Sequence, residues 1–199
     1  PDKTADYISS YILDRMLEQD PAVRFAVEVM IKGNTVVLGG EISGKIKMPC
    51  IEDYVRQALG EIGYSDEYAK RWGANAIEPD KLKVINLIGA QSVEIANGVK
   101  SGGWGDQGVF VGYACQGEQN ISREQYWARR LCKELYHKAL KSKVLGIDIK
   151  TQVTIGDDGA FDTVIVAIPM LRKVEVRDAI IKILGQKPRC LIVNGAGEY

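Results

Sequence analysis

One order of elements, helix, strand, strand, helix, strand, occurs twice along these 199 residues, and it restricts the fold more than any single motif does. In the first copy Ala5, Ile8, Ile12 and Met16 recur on one face of a helix spanning Thr4 to Gln19, which Asp20-Pro21 ends. The period then changes to two. Val23, Phe25, Val27, Val29 and Ile31 alternate along Val23 to Ile31 as a half-buried strand requires, and Lys32-Gly33-Asn34 turns the chain into a second strand from Thr35 to Ile42. A helix over Ile51 to Ile62 has Ile51, Val55, Leu59 and Ile62 in phase, and a strand over Leu82 to Ile88 completes the unit. The second copy opens with the capping box Ser122-Arg123-Glu124-Gln125 on a helix reaching Leu140. Strands at Ile147 to Ile155 and Phe161 to Ile168 flank the turn Asp157-Asp158-Gly159. A helix from Val174 to Leu184, closed by Gly185, and a strand from Cys190 to Asn194 follow. Such units place their helices on one side of a mostly antiparallel sheet, so the fold class is α+β, with units at residues 1–115 and 116–199.

Charge and composition exclude several partners. Twenty-six basic residues balance twenty-six acidic ones, so the whole chain offers no electrostatic reason to expect nucleic acid or an anionic membrane, and an anionic ligand needs local charge. No apolar run approaches the length of a membrane span and no signal peptide is present, which points to a soluble, cytoplasmic protein. Cys50, Cys115, Cys132 and Cys190 stand far apart without C-x-x-C spacing, so neither a zinc site nor a redox motif is expected. The single histidine, His137, lies among Lys133, Glu134 and Lys138 in a helical stretch and reads as a surface residue.

The segment Gly103-Trp104-Gly105-Asp106-Gln107-Gly108 carries a different signal, because glycines strip steric cover from the backbone around one carboxylate. Its letters also spell the dinucleotide fingerprint, which needs a strand before it and a helix after it. Here Ala96 to Gly102 is polar and glycine-rich, and Val109 to Ala114 looks like a strand, so the segment reads as a ligand loop. Alternation sorts two further candidates: with Ile147, Ile149, Val153 and Ile155 on one face, Asp148 and Lys150 share the other. That pair can bind a ribose hydroxyl and a phosphate oxygen, or it can be a solvated surface pair of little energetic weight. Glu28 lies opposite Val27 and Val29, and Glu41 follows Gly39-Gly40 at the end of the partner strand.

Pro1-Asp2-Lys3, Gly39-Gly40-Glu41, Ile88-Gly89-Ala90-Gln91-Ser92, the G-x-G-D-Q-G loop and Asp148-Ile149-Lys150-Thr151-Gln152-Val153-Thr154, in this order, resemble the methionine adenosyltransferases, or S-adenosylmethionine synthetases. The resemblance covers the front part of the family's chain, which is built from three α-β-β-α-β units about a pseudo-threefold axis. It implies attack of the sulfur of L-methionine on C5′ of ATP, with the expelled triphosphate hydrolysed to phosphate and diphosphate before release. By the same resemblance Glu41, Gln91 and Asp106 contact methionine, Asp106 through the ammonium group, while Asp148 holds the nucleoside and Lys150 the polyphosphate. Asp2 is implied as a magnesium (Mg2+) ligand, Glu28 as the acid associated with potassium (K+), and Lys3 as a neighbour of phosphate. Lys150, Asp106 and Lys3 thus bear the catalytic work, and Tyr199 can stack on the base. An oligomer is implied too, a homodimer or larger, because the family shares active sites between subunits.

Several departures accompany the match. The family's histidine before Pro-Asp-Lys and its lysine- and aspartate-rich third unit are not within these residues, the interval from Gln91 to Asp106 is short, and Glu198 stands where an arginine is usual. Residues 1–199 alone are therefore expected to turn over poorly, with a second polypeptide as one source of the third unit. The competing reading is a non-catalytic relative, a ligand-binding or assembly module that keeps the fold and some ligand residues.

Overall fold

The computed structural model describes residues 2–47, 50–73, 76–90, 108–109 and 111–197, and the chain divides into two compact units, Pro1–Val109 and Phe110–Tyr199. The first unit runs α1 (Asp2–Leu17), β1 (Arg24–Lys32), β2 (Thr35–Ser43), α2 (Ile51–Ile62), α3 (Asp66–Trp72) and β3 (Lys83–Ala90). Its sheet has the order β1-β2-β3, with β1 antiparallel and β3 parallel to β2, the parallel step being made through α2. Alternation works as the sequence implies. Val27, Val36, Leu38 and Ile42 point inward and are buried with Ile8, Ile12 and Met16 of α1 and Val55 and Leu59 of α2. The helices are tied down by polar bonds as well: Ser9 Oγ donates to the Val27 carbonyl at 2.9 Å, and Arg56 of α2 donates to the carbonyls of Pro79 and Leu82 at the entry to β3.

The second unit repeats the scheme with α4 (Arg123–Leu140), β4 (Lys150–Ile155), β5 (Phe161–Ala167), α5 (Arg177–Leu184) and β6 (Cys190–Val193). Here β4 is antiparallel and β6 parallel to β5. Leu131 and Leu135 of α4 and Ile180 and Leu184 of α5 bury against Val153, Val164 and Val166. Thr151 Oγ1 donates to the Ala128 carbonyl at 2.8 Å, so a hydroxyl again pins the long helix to the first strand. The capping box acts at its serine: Ser122 Oγ accepts from the Gln125 amide at 3.3 Å.

Three local expectations give way. Asp2 and Lys3 do not precede the first helix but form its first turn, which starts at Asp2. The strand expected from Ile147 starts only at Lys150, because the Ile149 amide turns back to the Ile147 carbonyl at 3.0 Å and closes a three-residue turn with Asp148 at its apex. Residue 109 and residues 111–114 form no strand, since nothing among the described residues pairs with them, and Val109 is 95% exposed. Cys115 belongs to the second unit, its amide donating to the Asn120 carbonyl and its thiol to the Ile121 carbonyl. None of the four cysteines forms a disulfide, and none is buried. No helix among the described residues is long and apolar enough to cross a membrane.

Candidate functional site

Strand register decides which residues of the first unit meet on the outward face of its sheet. Ala26, Glu41 and Gly89 form one row across the three strands, Glu28, Gly39 and Leu87 the next, and Met30, Val37 and Ile85 a third. Glu28 and Glu41 are therefore diagonal neighbours on one face, a relation in which Cα atoms stand roughly 7–8 Å apart. Gly40 lies between them in sequence but faces the other way, and its role is structural. It has φ of 138°, and a Cβ there would come within 2.0 Å of the Ala26 carbonyl oxygen, so no side chain can replace the hydrogen without moving β1. The Gly39-Gly40-Glu41 motif thus positions Glu41 through the backbone.

Glu28 also borders a groove of about 390 Å³ between α1 and β1, with Ala5, Asp6, Ser9 and Ser10 on the helical side. In the first turn of α1, Lys3 Nζ reaches Asp6 at 3.9 Å across exposed surface. Asp6, Ser9 and Ser10 escaped the sequence reading. Their signal was the helical period itself, since Asp6 and Ser10 lie away from the buried Ile8 and Ile12 while Ser9 flanks them at the edge that meets β1. The carboxylates of Asp2 and Asp6 on α1 and, on the other face of the sheet, of Glu28 are oxygen donors of the kind a hard cation takes, and magnesium in particular takes one or two protein carboxylates together with water and phosphate oxygens. Among the described residues no three His, Cys, Asp or Glu side chains converge on one point as a protein-only cage would need.

In the second unit the outward face of β4 carries Lys150, Gln152 and Thr154, with Ile165 of β5 beside Gln152 and Thr163 beside Thr154. Lys150 is exposed and opens the strand, and Asp148 is half-buried at the turn just before it. The turn therefore sets their relation, which is not that of two residues alternating along one strand. Gln91, Asp106 and Tyr199 lie outside the described residues, as does most of the G-W-G-D-Q-G loop.

Two carboxylates away from these faces carry electrostatic weight for the hairpins. Amide donors from Lys45 (2.8 Å) and Ala22 (2.9 Å) hold the Asp20 carboxyl below its ordinary range. Asp158, at the β4–β5 turn, is lowered by the Ala160 amide and by Arg189, whose Nη2 lies 2.5 Å away. These are hairpin fasteners, and the site borrows only the rigidity they give.

Comparison with known proteins places the arrangement in a family. Residues 1–93 match the family model described as the N-terminal domain of S-adenosylmethionine synthetase. The S-adenosylmethionine synthase of Helicobacter hepaticus is 31% identical over 201 aligned positions, covering 94% of this chain and 50% of that protein. S-adenosylmethionine synthase 1 of Rhodospirillum rubrum is 36% identical, covering 80% of this chain and 41% of that one. A solved structure described as an unusual S-adenosylmethionine synthetase from Campylobacter jejuni superposes with a TM-score of 0.80 at 29% identity, covering all of this chain and 56% of that one. The chain spans about half the length of the relatives it matches. By this sequence match, the repeated α+β units and the superposition, the chain is a relative of the S-adenosylmethionine synthetases, corresponding to their N-terminal and central portion.

Proposed function

We propose that this chain supplies the methionine-facing and part of the nucleotide-facing surface of a methionine adenosyltransferase. The observation that carries the reading is the division of charge between two sheet faces of a chain from this family: Glu28 and Glu41 stand side by side on the first, and Lys150 opens the second. In the reaction the methionine sulfur donates an electron pair to C5′ of ATP, the C5′–O bond breaks, and the electrons leave on the triphosphate. The product is a sulfonium ion. Glu41, with Gln91 and Asp106, orients the amino acid, and its carboxylate complements the ammonium group. Lys150 places a compact positive charge on the departing oxygens, where electrostatic stabilisation is usually the largest catalytic contribution. Asp148, held in a tight turn, meets the ribose, Lys3 meets phosphate at the start of α1, and Tyr199 stacks on the base.

Asp2 would hold magnesium, which supplies neutralising charge to the polyphosphate, and Glu28 would hold potassium. Met30 and Leu87 on the outward face of the first sheet are 64% and 66% exposed in a face otherwise bearing the site, which supports an oligomer that covers them. Light scattering at tens of micromolar checks this, and a monomer alone contradicts it. The functional reading itself is tested by calorimetric titration with a non-hydrolysable ATP analogue and magnesium. Saturable one-site binding that weakens when magnesium is removed is expected, and heats indistinguishable from buffer dilution would overturn it.

A further inference from the structure

The two units close the space between their paired helices differently. In the first, Tyr11 of α1 meets Tyr54 of α2 edge-on at 6.3 Å, Tyr7 stands beside Tyr11 at the same spacing, and the Tyr7 and Tyr11 hydroxyls donate to Glu61 and Gln57 of α2. In the second, the corresponding pair leaves an open groove of about 280 Å³, lined by Arg130, Glu134 and Lys138 of α4 and Ala179, Lys182 and Ile183 of α5. The three α4 residues recur every fourth position and so stand in one line. Arg130 is already oriented, its guanidinium 5.0 Å from the centroid of the Trp127 ring and its Nη1 donating to the Tyr126 hydroxyl at 3.2 Å. Among the described residues neither Lys138 nor Lys182 has an ion-pair partner, and Glu134 engages neither flanking cation.

We propose that the groove between α4 and α5 is an anion site for a compact polyphosphate group, free or at the end of a nucleotide. Three cations against one carboxylate leave the groove positive, and ammonium and guanidinium groups in a row suit a chain of phosphates better than a single small anion. The volume, roughly nine times that of a water in the liquid, accommodates two or three linked phosphates and is small for a drug-sized organic ligand. Ala179 and Ile183 form an apolar wall that keeps water from one side, which strengthens the charge interactions. Arg130 needs little ordering on binding because Trp127 and Tyr126 already fix it. Glu134 lies between the cations on α4 and opposes the ligand, so it limits affinity. None of these residues belongs to the adenosyl-transfer site, and the inference stands apart from that reading.

The test is a calorimetric titration of the whole chain with inorganic tripolyphosphate, and in a parallel arm with ATP, at about 50 mM ionic strength where exposed charges are still weakly screened. In the Lys150→Ala background tripolyphosphate is expected to bind at one site, the groove, and ATP to compete for it if the terminal phosphates are what the groove holds. With Lys150→Ala as the background, so that the proposed transfer face does not contribute, Lys182→Ala and Arg130→Ala should each weaken tripolyphosphate binding about tenfold and Glu134→Gln should tighten it severalfold. Tightening by Glu134→Gln is a readout that a merely structural groove would not give, and all four positions are exposed, so folding is retained. Tripolyphosphate binding that is absent, that ignores Lys182 and Arg130, or that is lost with Lys150→Ala would overturn the inference.

Discussion

Helical cations of the first unit sit beside carboxylates one turn away, as in Lys3–Asp6, Arg15–Glu18, Arg56–Glu52 and Arg71–Glu67, whereas in the second unit Arg189 meets Asp158 and Asp162 at the hairpin. Residues 1–109 hold twelve basic and sixteen acidic side chains, and residues 110–199 hold fourteen and ten, so a chain of zero formal charge is an acidic unit followed by a basic one. The same division appears on the sheets, with Glu28 and Glu41 on one outward face and Lys150 on the other. A repeated topology thus gives two scaffolds with the same core logic and surfaces of opposite net charge, which under the proposed function face different parts of the substrates. Balanced composition argues against a long polyanionic partner for the whole chain. It says nothing about a single face.

The largest effect that can break this comparison is at Gly40. Gly40→Ala forces a Cβ against the Ala26 carbonyl at a positive φ, and it should cost on the order of 3–5 kcal/mol in urea denaturation, since both strain and a shift of β1 are needed. The second sheet needs no such glycine, because valines fill its inward positions 164 and 166. Val166→Ala should cost only about 2 kcal/mol, the scale for two buried methyl groups and a small cavity. Equal losses at the two positions would show that the hairpins are not built differently. Ser122→Ala should cost about 1 kcal/mol through loss of the cap on α4, read from the urea midpoint.

Two lowered aspartates, Asp20 in the first unit and Asp158 in the second, predict a shared response to acid. A carboxyl whose pKa falls on folding adds stability above its unfolded value, here 3.8, and loses it as pH drops through the lower folded value. The urea midpoint should therefore fall below about pH 4, and Asp20→Asn and Asp158→Asn should each flatten that dependence. An unchanged slope in either variant would remove that carboxylate from its hairpin's stability. The smallest effect is a gain: Gly60→Ala, inside α2 with open space around the added methyl, should raise stability by about 0.5–1 kcal/mol.

Much of the fold was legible because burial imposes a period. Val27 and Val29 against Glu28, and Ile51, Val55 and Leu59 at helical spacing, are dictated by which face meets the core, and the helix over Ile51–Ile62 ends where its pattern ends. Asp148 was harder. Apolar residues at 147 and 149 mimic alternation, yet a local hydrogen bond bends the chain there. The segment from Val109 misled for a related reason, since alternation shows what a strand would bury but not whether a partner strand exists. For the proposed site, motif order pointed to Glu41, Asp148 and Lys150, and strand alternation with the family resemblance pointed to Glu28. Asp6, Ser9 and Ser10 became visible only when the packing of α1 on β1 set them along the groove beside Val27, Glu28 and Val29. The α4–α5 groove had no motif at all, because it is defined by what fails to fill it.

The most direct measurement is a crossed titration. L-methionine and a non-hydrolysable ATP analogue with magnesium are each titrated calorimetrically into the unmodified chain, Glu41→Gln and Lys150→Ala. If the first face serves the amino acid and the second the polyphosphate, Glu41→Gln weakens methionine binding roughly tenfold and leaves the nucleotide within about twofold. Lys150→Ala does the reverse, weakening the nucleotide by roughly 10–100-fold, the scale of one charge-assisted contact. Variants that weaken both ligands alike, or neither, would contradict the division of labour between the two units.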